Sequence, residues 1–142
     1  HPTVSEVIRK FNKESGIYAI NNGVSDMREL TDPANINNDS VQLALKMYAY
    51  RVKKYIGSYT ASMNGVDAIV FTAGIGEYTP ELRELILKDM EFFGVKLDNE
   101  KNYNAPRGDN FIISAEDSKV KVCIIPTNEE LVIAKQTEQL VK

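Results

Sequence analysis

The chain has 142 residues, of which 43% are hydrophobic and 26% are charged. This balance is typical of one soluble globular domain and excludes a disordered chain, which has too few apolar residues to offset the entropy lost on ordering. The 17 basic and 20 acidic residues give a net charge of -3, which disfavours a general nucleic-acid binder, since such proteins are usually basic. No apolar run approaches the roughly 20 residues of a membrane span. We therefore expect neither a nucleic-acid nor a membrane partner.

Cysteine and histidine are almost absent, which limits the chemistry that the chain can carry. Cys123 is the only cysteine and His1 the only histidine. One cysteine excludes an internal disulfide and a cysteine metal cluster, and it favours a reducing, cytoplasmic location. Cys123 lies in an apolar run and is predicted to be an inert core residue. A single terminal histidine leaves no basis for a Ser-His-Asp or Cys-His catalytic set.

The first half of the chain predicts two helices with a polar stretch between them. Thr3 and Glu6 form a capping-box pair before apolar residues at helical spacing. A long helix begins near Asp39, and its apolar positions, including tyrosines at 48, 50, 55 and 59, predict packing on two sides. Residues 21–38 are polar and show little periodicity, and a stretch of this length is often functional.

The second half alternates between strands and helices. Residues 66–72 predict a buried strand of a parallel sheet, and Thr79 with Pro80 predicts the start of a helix that extends to Gly94. Residues 95–108 look irregular, whereas 111–114 and 120–125 predict strands. A capping box of Thr127 and Glu130 predicts a terminal helix. This alternation predicts an α/β fold.

Gly74 and Gly76 lie where the strand at 66–72 gives way to a helix. Glycine permits a positive φ and a close approach of a ligand to the backbone, and a helix N-terminus offers N–H groups to phosphate. The segment lacks the lysine of a P-loop and the third glycine of a dinucleotide fingerprint. Spacing alone therefore favours a tight structural turn, with a nucleotide or phosphate role as the second interpretation.

Two further segments carry candidate binding residues. Asp26 is able to accept from ribose hydroxyls, and Arg28 to stack on a base or bind phosphate, but composition favours a solvated loop with a local ion pair. If Thr127 and Glu130 are occupied in a capping box, Glu129 is free to hold Mg²⁺, usually through water. Compensation of the helix dipole is the favoured alternative for Glu129.

These segments, taken in order, resemble the acetate kinase family, also called acetokinases. Residues 11–16 (FNKESG) resemble the family's LNKxSG, and 25–28 (SDMR) its SDxR. Residues 70–77 (VFTAGIGE) match its FTAGIGEN motif, 94–98 (GVKLD) the segment that follows, and 113–114 with 125–131 (IPTNEEL) its closing segment. Tyr78 stands where the family usually has asparagine, and residues 17–23 differ from the family's usual loop.

The resemblance implies an α/β fold that is the C-terminal part of an actin-like ATPase domain, of the acetate and sugar kinase, heat-shock and actin superfamily. It covers only the last third of the family's length. Residues 1–126 correspond to the later part of the nucleotide-binding second domain, and 127–142 to a terminal helix that packs on the first domain. The resemblance assigns Mg²⁺, with Mn²⁺ as an alternative, to Glu129. It assigns the adenine nucleotide to Asp26, Met27, Arg28, Gly74, Ile75, Gly76, Glu77 and Tyr78.

The implied activity is reversible transfer of a phosphoryl group from ATP to acetate, giving ADP and acetyl phosphate. The family's catalytic and substrate-binding residues have no match in these 142 residues, so no catalytic residue is assigned and the isolated chain is expected to be inactive. The resemblance also implies a cytoplasmic homodimer. A propionate or butyrate kinase, or a non-catalytic module that binds a nucleotide or a protein partner, are the alternative interpretations.

Overall fold

A computed structural model describes residues 2–141 of the chain. Within those residues it contains three strands, eight α-helices and one 3₁₀ turn at Glu91–Phe93. The strands are β1 (Ala68–Phe71), β2 (Phe111–Ile112) and β3 (Lys121–Ile124). The helices are α1 (Val4–Lys13), α2 (Ile17–Ile20), α3 (Met27–Leu30), α4 (Asp39–Ser62), α5 (Ala73–Tyr78), α6 (Pro80–Leu87), α7 (Asn99–Tyr103) and α8 (Glu129–Val141). The predicted α/β class is confirmed.

The three strands form one small mixed sheet in the order β1-β3-β2. β1 and β3 are parallel, with Ile69 opposite Val122 and Phe71 opposite Ile124, while β2 pairs with β3 in the antiparallel sense. Since β1 and β3 are parallel, their carboxyl ends lie at the same edge of the sheet, and the chain leaves that edge at residues 72–74 and 125–129. These are two of the segments that carried candidate binding residues.

One hydrophobic core joins the sheet to α4 and α6. The side chains of Ile69, Phe71, Val122 and Ile124 are buried in it, whereas Val70, between two of them in β1, is 48% exposed. The strand predicted at 66–72 is present as β1 and pairs in the parallel sense, but it is buried on one face only, because the helices of the described chain cover only that face. Cys123 is half-buried on the same strand as Val122, so its predicted place in the core is wrong.

The longest helix, α4, is buried along one side only. Val41, Ala44, Leu45 and Ala49 are buried, but Leu43, Met47, Tyr50, Tyr55 and Tyr59 are about half to two-thirds exposed. Packing on two sides was predicted, and three of the four tyrosines do not take part in it. None of the helices in residues 2–141 combines the length and the apolar character that crossing a membrane requires.

The two terminal helices also leave apolar side chains in contact with solvent. In α1 the predicted capping box of Thr3 and Glu6 is present, yet Val4 and Phe11 are 77% and 72% exposed. In α8 no residue is buried, and Leu140 is 88% exposed. The apolar stripe of a helix normally packs against another element, and the described residues do not cover these two stripes.

Three element boundaries differ from those predicted. A short helix, α5, follows β1 directly, so the glycine corner lies inside a helix rather than in a loop. α6 ends at Leu87 instead of near Gly94, since Lys88 takes an extended ψ and Asp89 a φ of 59°. The irregular stretch 95–108 contains α7, whose N-cap Asp98 accepts a hydrogen bond from the Lys101 N–H.

We expect Leu45→Ala and Leu43→Ala, the same change two positions apart on α4, to differ sharply in stability. Leu45 is 1% exposed and Leu43 is 52% exposed. Leu45→Ala should lower the free energy of unfolding by about 2–4 kcal/mol, because it leaves a cavity. Leu43→Ala should change it by less than about 0.5 kcal/mol. Urea unfolding followed by circular dichroism measures both, and equal losses would contradict one-sided burial of α4.

Candidate functional site

Asp26 and Arg28 form a compact ion pair at the start of α3. The Asp26 carboxylate accepts from the Arg28 backbone N–H at 2.9 Å and from Arg28 Nε at 3.0 and 3.2 Å, and Met27 between them is buried. The hydrogen bonds from Arg28 lower the pKa of Asp26 to about 2, and those to Asp26 raise the pKa of Arg28. The local ion pair that composition favoured is therefore present, while the Arg28 side chain is 90% exposed.

The junction between β1 and α5 is tight, and its two glycines differ in how much space a side chain would find there. A Cβ on Gly76 would lie 3.1 Å from the backbone carbonyl carbon of Phe71, closer than ordinary packing allows, whereas a Cβ on Gly74 would meet nothing within 4 Å. Neither glycine has a positive φ; Ala73 does, at 58°. Gly76 is thus required by packing, and Gly74 leaves open space beside the backbone.

Arg83 holds the far end of α5 in place and was missed by the sequence analysis. Its guanidinium is buried, with only 2% of the residue exposed. It donates to the carbonyl oxygens of Gly76 and Glu77 at 2.8 and 2.9 Å, and to the side-chain and backbone oxygens of Asn102 at 2.8 Å. Burial lowers the pKa of Arg83. A signal was available, because Arg83 falls on the apolar side of α6 with Ile86 and Leu87.

Glu77 and Thr79 make contacts other than those predicted. Oε1 of Glu77 accepts from the Thr127 N–H at 3.0 Å, which links α5 to the loop between β3 and α8. The Thr79 hydroxyl donates back to the Ile75 carbonyl and does not cap α6. The capping box of Thr127 and Glu130 is also wrong: the Asn128 side chain accepts from the Leu131 N–H at 3.0 Å.

A groove of about 710 Å³ brings the two candidate segments together. Asp26, Met27 and Arg28 line it from α3, and Gly74, Ile75 and Tyr78 line it from α5. Its remaining lining residues are Thr31, Thr79 and Arg107. Arg107 was not predicted, since it lies in the stretch that looked irregular, and its guanidinium carbon is 5.5 Å from the centre of the Tyr78 ring.

A second, more polar cavity of about 440 Å³ also borders Gly74. It is lined by Ala73, Gly74 and the loop residues 127–130. Gly74 is the residue that lines both cavities, so the groove and the loop that carries Glu129 meet at this residue. Gly76 and Glu77 line neither of these two cavities.

Glu129 is the one predicted metal ligand, and its surroundings fit Mg²⁺ rather than a cation held by protein alone. No three His, Cys, Asp or Glu residues cluster to enclose a metal anywhere in residues 2–141. Mg²⁺ usually takes one or two carboxylates and completes its shell with water and substrate phosphate. An exposed carboxylate at the rim of the second cavity meets that requirement.

We expect alanine at Gly76 and at Gly74 to have opposite effects on stability. Gly76→Ala should destabilise the chain by about 1–3 kcal/mol, because the methyl group presses on the Phe71 backbone. Gly74→Ala should leave stability unchanged or raise it by up to about 1 kcal/mol, since alanine favours a helix over glycine. Thermal unfolding of the two variants compares them directly, and a loss at Gly74 matching that at Gly76 would contradict this assignment.

Comparison with known proteins gives a consistent result. Residues 1–135 match the model of the acetokinase family. An acetate kinase of Thermoanaerobacter pseudethanolicus is 58% identical over 141 residues, which are 99% of this chain and 35% of that protein. The chain therefore spans about a third of the length of the curated relatives that it matches.

Solved structures agree with the sequence matches. The crystal structure of Porphyromonas gingivalis acetate kinase superposes with a TM-score of 0.85 at 40% identity, covering 99% of this chain and 35% of that chain. A propionate kinase from Francisella tularensis superposes with a TM-score of 0.80 at 35% identity, covering 94% of this chain and 33% of that chain. The fold is that of part of these larger chains.

Proposed function

Since the chain belongs to the acetokinase family, we propose that it supplies the nucleotide-binding part of a kinase that transfers a phosphoryl group reversibly between ATP and acetate. The products would be ADP and acetyl phosphate. One observation carries this proposal: two segments about fifty residues apart in sequence, 26–28 and 74–78, line one groove, and Gly74 of that groove also lines the cavity that contains Glu129. A long ligand with an aromatic end and an anionic end fits such an arrangement.

The base and ribose would lie in the groove between α3 and α5. The exposed Arg28 guanidinium is planar and is held in one orientation by Asp26, which suits stacking on a base. The Asp26 carboxylate stays ionised at neutral pH, since its pKa is about 2, and so remains able to accept from ribose hydroxyls. Gly74 lets the ligand approach the backbone without a Cβ in its path.

The phosphates would pass Gly74 towards residues 127–130. When bound there, Mg²⁺ would neutralise phosphate charge, which is a main requirement of phosphoryl transfer. Glu129 is our proposed metal residue. The loop that contains Glu129 is held in place by the hydrogen bond from the Thr127 N–H to Glu77. Gly76 and Glu77 therefore act by shaping the backbone, although the resemblance counts them among the nucleotide-binding residues.

The same reasoning divides the chain by role. Residues 1–126 would form the later part of a nucleotide-binding domain, and 127–142 a helix that packs on another domain. The exposure of Leu131, Ile133 and Leu140 supports this division. A cytoplasmic homodimer is proposed for the complete enzyme, with the exposed tyrosines of α4 as a candidate contact.

Propionate or butyrate kinase is the second candidate activity, favoured by the match to the Francisella tularensis propionate kinase. The nucleotide groove is common to both interpretations, because the acyl group is not recognised by any residue assigned here. A non-catalytic module that binds nucleotide or a protein partner is the third interpretation, and the phosphotransfer assay below separates it from the kinases.

Titration calorimetry of ADP, with and without Mg²⁺, tests the site. The complete translation product that contains these residues should bind ADP saturably, and Gly76→Val should abolish binding because the larger side chain displaces α5 from Phe71. Glu129→Gln should weaken Mg²⁺-ADP about tenfold and leave metal-free ADP unchanged. Glu130→Gln, which alters the adjacent carboxylate, is the matched control. Equal effects at 129 and 130 would refute the metal assignment.

Phosphotransfer with acetate, propionate and butyrate as acceptors tests the reaction. We expect the complete translation product to phosphorylate acetate, with slower turnover of the longer acids. The 142-residue chain alone should show no turnover, since it holds no residue assigned to acetate or to the moving phosphoryl group. Acetate-dependent turnover by the 142-residue chain that is lost in Glu129→Ala would overturn that expectation, and absence of turnover in the complete product would overturn the kinase proposal.

A further inference from the structure

Tyr78 and Arg107 form a paired wall of the groove that no motif predicted. Tyr78 is the last residue of α5, and Arg107 lies beyond α7, about thirty residues later in the chain. The Arg107 guanidinium carbon is 5.5 Å from the centre of the Tyr78 ring, within the range of a cation–π contact. Both side chains line the groove that holds Asp26 and Arg28, and the Tyr78 side of the pair is open, with the residue 51% exposed.

The charges of the groove are unequal, and Arg107 is the reason. The lining carries one acidic side chain, Asp26, and two basic ones, Arg28 and Arg107. Asp26 forms an ion pair with Arg28, whereas Arg107 forms no ion pair with any of residues 2–141. Arg107 therefore presents a guanidinium that is free of ion pairs with the described residues beside a ring plane, which suits stacking on a planar aromatic ligand.

The position of the pair indicates which part of that ligand it meets. The cavity that leads to Glu129 is lined by Ala73, Gly74 and residues 127–130, and neither Tyr78 nor Arg107 belongs to it. The pair therefore lines the groove but not the cavity proposed for the phosphates. Planar groups in that groove, a phenol ring and a guanidinium, are suited to stacking on a base.

We propose that Tyr78 and Arg107 form a stacking wall that binds the purine base of the nucleotide, with Arg107 as a nucleotide-binding residue in its own right. This inference rests on the proposed nucleotide-binding function. It also gives a role to Tyr78, which replaces the family's usual asparagine: its ring would stack on the base and makes the cation–π contact with Arg107. The contact is to the base and ribose end of the ligand, and the phosphates do not use it.

The test compares ADP with inorganic pyrophosphate, which lacks the base, by titration calorimetry of the complete translation product. Arg107→Ala should weaken ADP about tenfold, the size expected when a stacking contact on a base is lost, and should leave pyrophosphate affinity unchanged. Arg107→Lys keeps the charge and loses the plane, so it should weaken ADP nearly as much. Tyr78→Leu should match Arg107→Ala, and the double variant should lose little more than either alone.

Arg51→Ala is the matched control, since Arg51 lies over the Tyr55 ring at 5.8 Å on α4, outside the groove. It should change neither affinity. Unchanged ADP binding in Arg107→Ala, or a parallel loss of pyrophosphate binding, would overturn the stacking wall while leaving nucleotide binding itself intact. If the unaltered protein bound neither ADP nor pyrophosphate, the proposed function would fail, and the wall with it.

Discussion

The buried guanidinium of Arg83 holds α5, which lines the site, against the rest of the chain. Arg83 places a positive charge in a nearly water-free position, where an unpaired charge is costly, and satisfies it with oxygen atoms from α5 and α7 rather than with a carboxylate. Two of those oxygens belong to Gly76 and Glu77. The C-terminal end of α5 is therefore fixed to the body of the chain by hydrogen bonds to a charged group, which are stronger than neutral ones. The orientation of Gly74, Ile75 and Tyr78 towards the groove depends on this anchor.

A steric contact also holds α5 against β1. Because Gly76 lies against the backbone of Phe71, the helix has to begin as soon as β1 ends, and Ala73 takes up a positive φ to make the turn. A non-glycine residue in that conformation is strained by about 1 kcal/mol or more. Such strain is maintained only when the surroundings determine the backbone, as packing on Phe71 and the contacts of Arg83 do here. The result is a rigid segment shared by two cavities.

The distribution of exposed apolar side chains agrees with the length comparison. The chain spans about a third of its relatives, and the apolar faces of α1, α4 and α8 lie open, together with one face of β1. The core itself is continuous from α4 through α6 to the sheet. The groove is built on that core, and we propose that the four exposed faces are the surfaces on which a larger enzyme packs further parts or a second copy.

Much of the architecture follows from local patterns in the sequence. The capping box of α1, the long α4, the apolar strands and the Asp26–Arg28 ion pair were predictable, because each depends on residues a few positions apart. The resemblance to the acetokinases was readable from motif order, and it pointed to the segments that line the groove. Burial was predicted less well. α4 and β1 are each covered on one side only, and the periodicity of apolar residues does not show which elements pack against a helix or strand.

Only the tertiary structure decided which atoms meet. Thr127 was expected to cap α8, but it is held by Glu77 from fifty residues away, and Asn128 takes the cap. Arg83 links α5 to Asn102 of α7, and Arg107 contacts the ring of Tyr78 about thirty residues earlier in the chain. The sequence by itself determined the longer helices, the main strands and the family, since those arise from local spacing and motif order. The site's walls, its anchors and its charge were decided by folding, since they are formed by side chains that only packing brings together.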